Sequence, residues 1–171
     1  TGGARTKAVT MGEPLPPFAD AVAALGWGTP LEEREPLDRP SYVGPVSFAQ
    51  LPWVEDPREI RRLEADIAIV GAPFDDAVTH RPGTRFGPRA IREAQYQTGT
   101  LHSLQVGVAP FAELRAVDAG DARIVPGRPE HGHAEIFRKV REVAETGALP
   151  IVLGGDHSIT WPNATAVADL R

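Results

Sequence analysis

The chain has 171 residues, of which 42% are apolar and 24% charged, as is typical of one globular domain with a hydrophobic core. Its net charge of −5 argues against nucleic-acid binding, which needs a basic face. Cysteine is absent, which excludes disulfides, thiolate metal sites and cysteine nucleophiles. No apolar run approaches the roughly 20 residues that span a bilayer. A cytoplasmic protein without membrane or nucleic-acid partners is therefore expected.

Residues 1–57 are predicted to form an irregular N-terminal arm, because proline and glycine interrupt this stretch at short intervals. Within it, only residues 18–25 have a pattern suited to a short helix. Two interpretations of the arm stay open: it contacts another subunit or covers an active site, or it wraps its own domain. Residues 58–171 are predicted to be the first part of an α/β domain.

Strands are predicted at residues 67–70, 114–117 and 151–153, and the first and third of these segments are continuous apolar runs. We expect the first and third to be fully buried. Helical patterns separate and follow them, and this β-α-β-α-β-α order predicts a parallel sheet with helices on both faces. Three strands leave an exposed edge, so the simplest inference is that the chain is the first part of a larger sheet.

Three helices are predicted between and after these strands. The first begins near Pro88, with Ile91, Ala94 and Gln95 on its inward side. The second has an apolar stripe over residues 136–144. The third follows Thr160, and its inward residues are predicted to be Ala164, Val167 and Ala168.

The third strand runs into residues 154–158, which read Gly-Gly-Asp-His-Ser. In open α/β sheets, chemistry lies beyond the carboxyl ends of the strands. The two glycines let the backbone turn sharply and let another group approach closely. Neutral imidazole is a common metal ligand, and a neighbouring carboxylate such as Asp156 can orient it. Function is therefore predicted to depend on His157.

The second strand is followed by acidic residues in the same way. Asp118 and Asp121 come directly after it, and either could face the cleft. Capping of the loop backbone is the favoured role. His131 and His133 lie two positions apart at the start of a helix, where side chains do not share a face. A joint metal site is therefore not expected, and both histidines are predicted to be solvated.

A cationic series occupies residues 79–92. Its arginines are Arg81, Arg85, Arg89 and Arg92. Arginine pairs well with carboxylates, so the loop is either an anion site at the lip of a cleft or a rigid loop held by salt bridges. The structural role is favoured for Arg89 and Arg92. Thr79, His80 and Arg81 form a candidate cleft or substrate loop.

These residues resemble the ureohydrolases, the family of arginase and agmatinase. Four segments occur in the family's order: residues 70–75, 81–92, 117–121 and 154–158. Residues 41–48 are also similar to the arm that precedes the domain in agmatinase-like members. The form of residues 81–92 resembles agmatinases and guanidino-acid hydrolases more than true arginases. The resemblance covers about residues 41–171, the amino-terminal part of such a protein.

The resemblance implies a three-layer α/β/α, arginase-like fold, incomplete in this chain, and a binuclear manganese site, with nickel as the alternative metal. His157 would be a ligand of one manganese, with Asp156 and Ser158 behind it, touching the ligand rather than the metal. No catalytic residue is assigned in this stretch. A metal-bridging hydroxide would attack the guanidinium carbon of a small guanidino substrate such as agmatine, releasing urea and an amine. A homo-oligomer, trimer or hexamer, is implied.

The sequence departs from the family pattern in one respect. The family's other ligands come from an Asp-x-His-x-Asp and an Asp-x-Asp segment, and neither occurs here. One histidine cannot hold two ions, so this stretch alone is expected to be inactive, with the remaining ligands outside it. Two alternatives stay open: a non-catalytic ureohydrolase-like module for assembly or regulation, and an unrelated module that binds phosphate at the arginine loop.

Overall fold

The computed structural model describes residues 44–94, 105, 107–168 and 170. All of them belong to one compact unit, Arg39–Arg171. The predicted helix at residues 18–25 and most of the predicted arm lie outside the described residues, so the domain boundary at residue 57 stays a prediction. Within the part that is described, we find no helix with the length and apolar character needed to cross a membrane.

Strands and helices alternate along the described chain, as predicted. In chain order they are α1 (Pro57–Arg62), β1 (Ile67–Ala72), α2 (Gly87–Glu93), α3 (Pro110–Glu113), β2 (Ala116–Asp121), α4 (Pro129–Ala144), β3 (Leu149–Gly154) and α5 (Thr160–Ala168). Single 3₁₀ turns occur at Phe48–Gln50, Thr84–Phe86 and His157–Ile159. The short helices α1 and α3 were not predicted. Asp56 caps α1, because its side chain accepts a hydrogen bond from the Arg58 amide.

The three strands form a parallel sheet in the order β2-β1-β3. The central strand β1 carries apolar side chains on both faces, and residues 68–72 are buried. Ala68, Val70 and Ala72 face a core shared with α1, α4 and α5. Ile67 and Ile69 face a second core, which residues 48–51 help to form. The result is the predicted three-layer α/β/α arrangement.

Residues 52–54 lie along the outer edge of β2. Trp53 forms a parallel bridge with Asp118. The Val54 amide donates to the Asp118 carbonyl at 2.8 Å, and the Asp118 amide donates to the Pro52 carbonyl at 2.9 Å. In its described part, the predicted arm therefore packs on its own domain.

The prediction that β3 is fully buried is wrong. Leu149 and Ile151 are 49% and 41% exposed, and no described residue pairs with the outer edge of this strand. Its apolar composition is that of an interior strand, whereas its position in the described sheet is an edge. An apolar strand with an unpaired edge is the feature that a larger parallel sheet would bury.

The inward faces of α2 and α5 differ in part from the prediction. In α2, Pro88 and Arg92 are buried, whereas Ile91 is 42% exposed and Ala94, which follows the helix, is exposed; Gln95 lies outside the described residues. In α5, Pro162 and Ala166 are buried, and of the predicted residues Val167 packs against the core whereas Ala164 and Ala168 are exposed. The apolar residues of these short helices do not form a continuous stripe, so pattern alone did not orient them. The longer α4 does have such a stripe, and there the predicted face is confirmed, with Ile136, Val140 and Val143 buried.

Gly154 and Gly155 are required for close approach and not for an unusual backbone angle, since neither has a positive φ. A Cβ on Gly155 would overlap the carbonyl oxygen of Phe74 and lie 2.7 Å from that of Ala72. A Cβ on Gly154 would instead meet the end of the Ile159 side chain. That side chain can change rotamer, whereas the two carbonyls belong to β1 and the turn after it.

We expect Gly155→Ala to lower the free energy of unfolding by about 2–4 kcal/mol, because the backbone itself must move. Gly154→Ala is the matched control and should cost about 1 kcal/mol. Equilibrium urea unfolding of both variants beside the unsubstituted protein measures the difference. Equal losses in the two variants would contradict the assignment of Gly155 as the position of closest backbone approach.

Candidate metal site

His157 follows β3 directly and begins a 3₁₀ turn, His157–Ile159, at the carboxyl end of the sheet. Its side chain is exposed. No described residue forms a hydrogen bond or an ion pair with its ring. The imidazole of His157 is therefore free to bind a ligand from outside this part of the chain.

Asp156 holds the turn before His157 in place. The residue is buried, and its Oδ1 accepts hydrogen bonds from the Ser158 amide at 2.9 Å and the Ser158 hydroxyl at 2.5 Å. Its Oδ2 accepts from the Ala77 amide at 3.0 Å, and its own amide donates to the Phe74 carbonyl at 2.8 Å. Both carboxylate oxygens accept hydrogen bonds within the fold. Asp156 therefore positions the turn and is not proposed as a metal ligand.

The prediction that His133 is solvated is wrong. Its Nε2 lies 2.8 Å from Ser158 Oγ. Its ring packs 4.6 Å, between centroids, from Phe74 and 6.5 Å from Trp161. The signal was present in the sequence, because the helix begins at Pro129. His133 lies three positions before Ile136 and seven before Val140, on the same apolar stripe. His131, on another face, is exposed as predicted.

The loop after β1 is organised by Asp75, which is buried. Its carboxylate forms an ion pair with Arg85 and accepts from the Gly83 amide at 2.6 Å. The hydrogen bond from the Arg85 side chain lowers the pKa of Asp75, against the opposing effect of burial. Arg85 also bonds Asp76 at 3.0 Å. Arg85 thus links the end of the loop to Asp75 and Asp76 at its beginning.

Thr79, His80 and Arg81 occupy the same loop and are exposed. Within the described part of the chain, these three side chains have no hydrogen-bond or ion-pair partner. Asp75 fixes the base of the loop, whereas residues 79–81 at its tip are accessible to a ligand. A role in a cleft or in substrate binding stays a prediction for these residues.

Arg92 lies in a buried ion cluster on the opposite side of the sheet from α4. Its guanidinium makes two hydrogen bonds to Asp118, at 2.8 and 2.9 Å, and one to Asp121 at 2.7 Å. It stacks 5.2 Å from the centre of the Trp53 ring. Burial by itself would lower the pKa of Arg92, but the hydrogen bonds to the two carboxylates outweigh it and raise that pKa.

This cluster explains why β2 was predicted to end too early. Asp118 was assigned to a loop after the strand, yet it lies inside β2 and is fully buried. The strand can include a carboxylate because Arg92 and two amides, Phe48 N at 2.8 Å and Gly120 N at 3.0 Å, satisfy it. Arg89 pairs with Glu93 at the surface. The structural roles favoured for Arg89 and Arg92 are confirmed.

The metal-binding capacity of the described residues is limited. Across residues 44–94 and 107–168, no group of three or more His, Asp or Glu side chains is arranged to hold an ion. The chemistry of the donor present, an exposed imidazole at the carboxyl end of a strand, fits a manganese or nickel ligand. One such donor by itself cannot hold a metal pair.

The three-layer fold, and the histidine presented at the end of a parallel strand, place the chain in the arginase-like class of α/β folds. The family model described as "Arginase family" matches residues 65–171. A guanidino acid hydrolase of Rattus norvegicus mitochondria is 37% identical over 131 residues, which are 75% of this chain and 35% of the relative. The chain belongs to the arginase family.

Solved structures agree with this assignment. A hypothetical agmatinase from Burkholderia thailandensis superposes with a TM-score of 0.66 at 33% identity, covering 75% of this chain and 39% of that one. A formiminoglutamase from Trypanosoma cruzi, solved with Mn²⁺, gives a TM-score of 0.53 at 33% identity, covering 62% and 36%. The chain thus spans between a third and two fifths of the length of these relatives.

Proposed function

We propose that this chain is part of a metal-dependent amidinohydrolase that cleaves a small guanidino compound, agmatine or a guanidino acid, to urea and an amine. The observation that carries the proposal is the exposed His157, unpartnered among the described residues, at the carboxyl end of β3 in a chain of the arginase family. The relative from Rattus norvegicus acts on guanidino acids, and the Burkholderia protein is a hypothetical agmatinase. Both names support the substrate class.

The proposed cofactor is a pair of Mn²⁺ ions, with nickel as the alternative. A guanidinium carbon is a poor electrophile, and free water is a poor nucleophile at neutral pH. When bound, the ions would lower the pKa of water from about 16 to about 7 and hold the substrate beside it. This chain would contribute His157 as one ligand, while Asp156 and Ser158 keep the turn that carries it in place. The Mn²⁺ of the Trypanosoma relative supports the choice of metal.

The remaining ligands are proposed to lie outside these 171 residues. Two observations support this: no group of three His, Asp or Glu side chains among the described residues could hold an ion, and the apolar outer edge of β3 lacks a neighbouring strand among them. A further strand on that edge would bring its own carboxyl end beside His157. The chain 1–171 alone is then expected to be inactive.

The proposed partner is the small substrate, with no nucleic acid or membrane, and the proposed assembly is a homo-oligomer, trimer or hexamer. We propose a cytoplasmic location, although the Rattus norvegicus relative is mitochondrial. Light scattering coupled to gel filtration measures the subunit number directly. A monomer at micromolar concentration would contradict the oligomer.

The test of the proposed activity uses the natural protein that carries these residues, loaded with Mn²⁺ or Ni²⁺ and analysed for bound metal. Urea release is measured with agmatine, guanidinobutyrate, guanidinopropionate, arginine and guanidine, and the isolated chain 1–171 serves as the matched control. We expect urea from agmatine or a guanidino acid with the natural protein and none with the control. A natural protein that takes up neither metal and releases no urea from any substrate would instead favour the non-catalytic module.

A further inference from the structure

Hydrogen bonds among three side chains link the turn at His157 to α4. The side chains are those of Asp156, Ser158 and His133. Asp156 Oδ1 accepts from the Ser158 hydroxyl at 2.5 Å, and Ser158 Oγ lies 2.8 Å from His133 Nε2. A carboxylate can only accept, and a hydroxyl has a single hydrogen. Since that hydrogen is directed to Asp156, the contact with His133 requires a hydrogen on Nε2. His133 therefore donates a hydrogen bond to Ser158, and Ser158 donates one to Asp156.

We propose that His133 is a positioning residue for the metal ligand His157. Resting on the proposed function, this inference adds a residue from another element to the site. His157 lies between Asp156 and Ser158 in the chain, and each of these neighbours is held by the hydrogen-bond chain. The backbone that carries the imidazole is then held on both sides, which reduces the reorganisation needed when a metal binds.

The His133 ring is itself held in place. It packs between Phe74, which is fully buried, and Trp161. Gly132 permits this packing, because a Cβ there would lie 2.7 Å from the Phe74 ring. The Phe74 carbonyl accepts the amide hydrogen of Asp156 at 2.8 Å. The ring that donates to Ser158 and the backbone that holds Asp156 are thus fixed by the same residue.

Removal of the His133 donor should weaken the hydrogen bonds that Asp156 accepts. A hydroxyl that accepts one hydrogen bond donates the next one more strongly, because hydrogen bonds in a chain polarise one another. With leucine at position 133, the packing against Phe74 is retained, but Ser158 Oγ loses the donor that directs it toward Asp156. Both amides that donate to Asp156, those of Ala77 and Ser158, should then open more often.

The experiment compares His133→Leu with His133→Gln, whose side-chain amide can donate from a similar position, and with His131→Leu as the matched control on the same helix. The first measurement is hydrogen exchange at the Ala77 and Ser158 amides in the metal-free natural protein. We expect exchange about fivefold faster in His133→Leu. Exchange in the other two variants should equal that of the unsubstituted protein.

The second measurement is Mn²⁺ affinity by chelator competition, together with kcat and KM for the best guanidino substrate. We expect affinity and kcat to fall about tenfold in His133→Leu, the lower end of the range for residues that orient metal ligands, with KM within twofold. His133→Gln should recover most of both. Unchanged exchange or unchanged affinity in His133→Leu would overturn the inference. Absence of metal binding in the unsubstituted protein would instead overturn the proposed function.

Discussion

Replacement of Arg92 by methionine is expected to lower the free energy of unfolding by about 3–5 kcal/mol, because it leaves the buried Asp118 carboxylate without a cation. Asp118 is 0% exposed and Arg92 4% exposed, so water cannot replace the lost charge. Methionine retains much of the side-chain volume, and the loss therefore reports on charge rather than on a cavity. Equilibrium urea unfolding measures it.

The matched control is Arg89→Met, four residues from Glu93 on the surface of the same helix. An exposed pair of this kind contributes about 0.3–0.5 kcal/mol. The double variant Arg92→Met, Asp118→Asn should recover part of the loss, since it removes the uncompensated charge. If Arg92→Met destabilised the protein no more than Arg89→Met, the buried pair would have no net role in stability.

The replacement His157→Ala is expected to lower urea release by about 100-fold or more and to reduce the bound manganese, because one ligand of the metal pair is lost. The stability of the fold should not change, because the side chain is exposed and forms no hydrogen bond with a described residue. A change in unfolding free energy within about 0.5 kcal/mol is expected on that ground. Metal analysis, the urea assay and urea unfolding are made on the same preparation.

The control for this change is His131→Ala, which removes an exposed imidazole from the first turn of α4. Metal content and urea release should stay at the level of the unsubstituted protein. Full activity in His157→Ala would remove this residue from the metal site. A loss of stability without a loss of metal would assign it a structural role instead.

The local pattern of residues was sufficient to predict the order of the main strands and helices along the chain. The buried run at β1, the apolar stripe of α4 and the residues 154–158 after β3 were all identified from composition and spacing. Each depends on residues close together in sequence, and the period of their side chains decides which face is apolar. The order of the motifs was also sufficient to indicate the arginase family.

The orientation of short elements required the fold. In α2 the face that packs inward carries Arg92 and not Ile91. A buried arginine is favourable only beside a carboxylate, and its partner Asp118 lies 26 residues away in the chain. The same pairing explains why β2 continues through an aspartate. No local signal contains this information.

The class of fold, the family and the histidine after β3 could be predicted from the residues alone, because they depend on side-chain periodicity and on the order of motifs along the chain. The tertiary structure decided that Asp156 is fully engaged within the turn, that His133 donates to Ser158, and that β3 has an unpaired apolar edge. These depend on contacts between side chains and strands that only chain folding brings together. Hydrogen-bond partners far apart in sequence cannot be assigned before that packing is known.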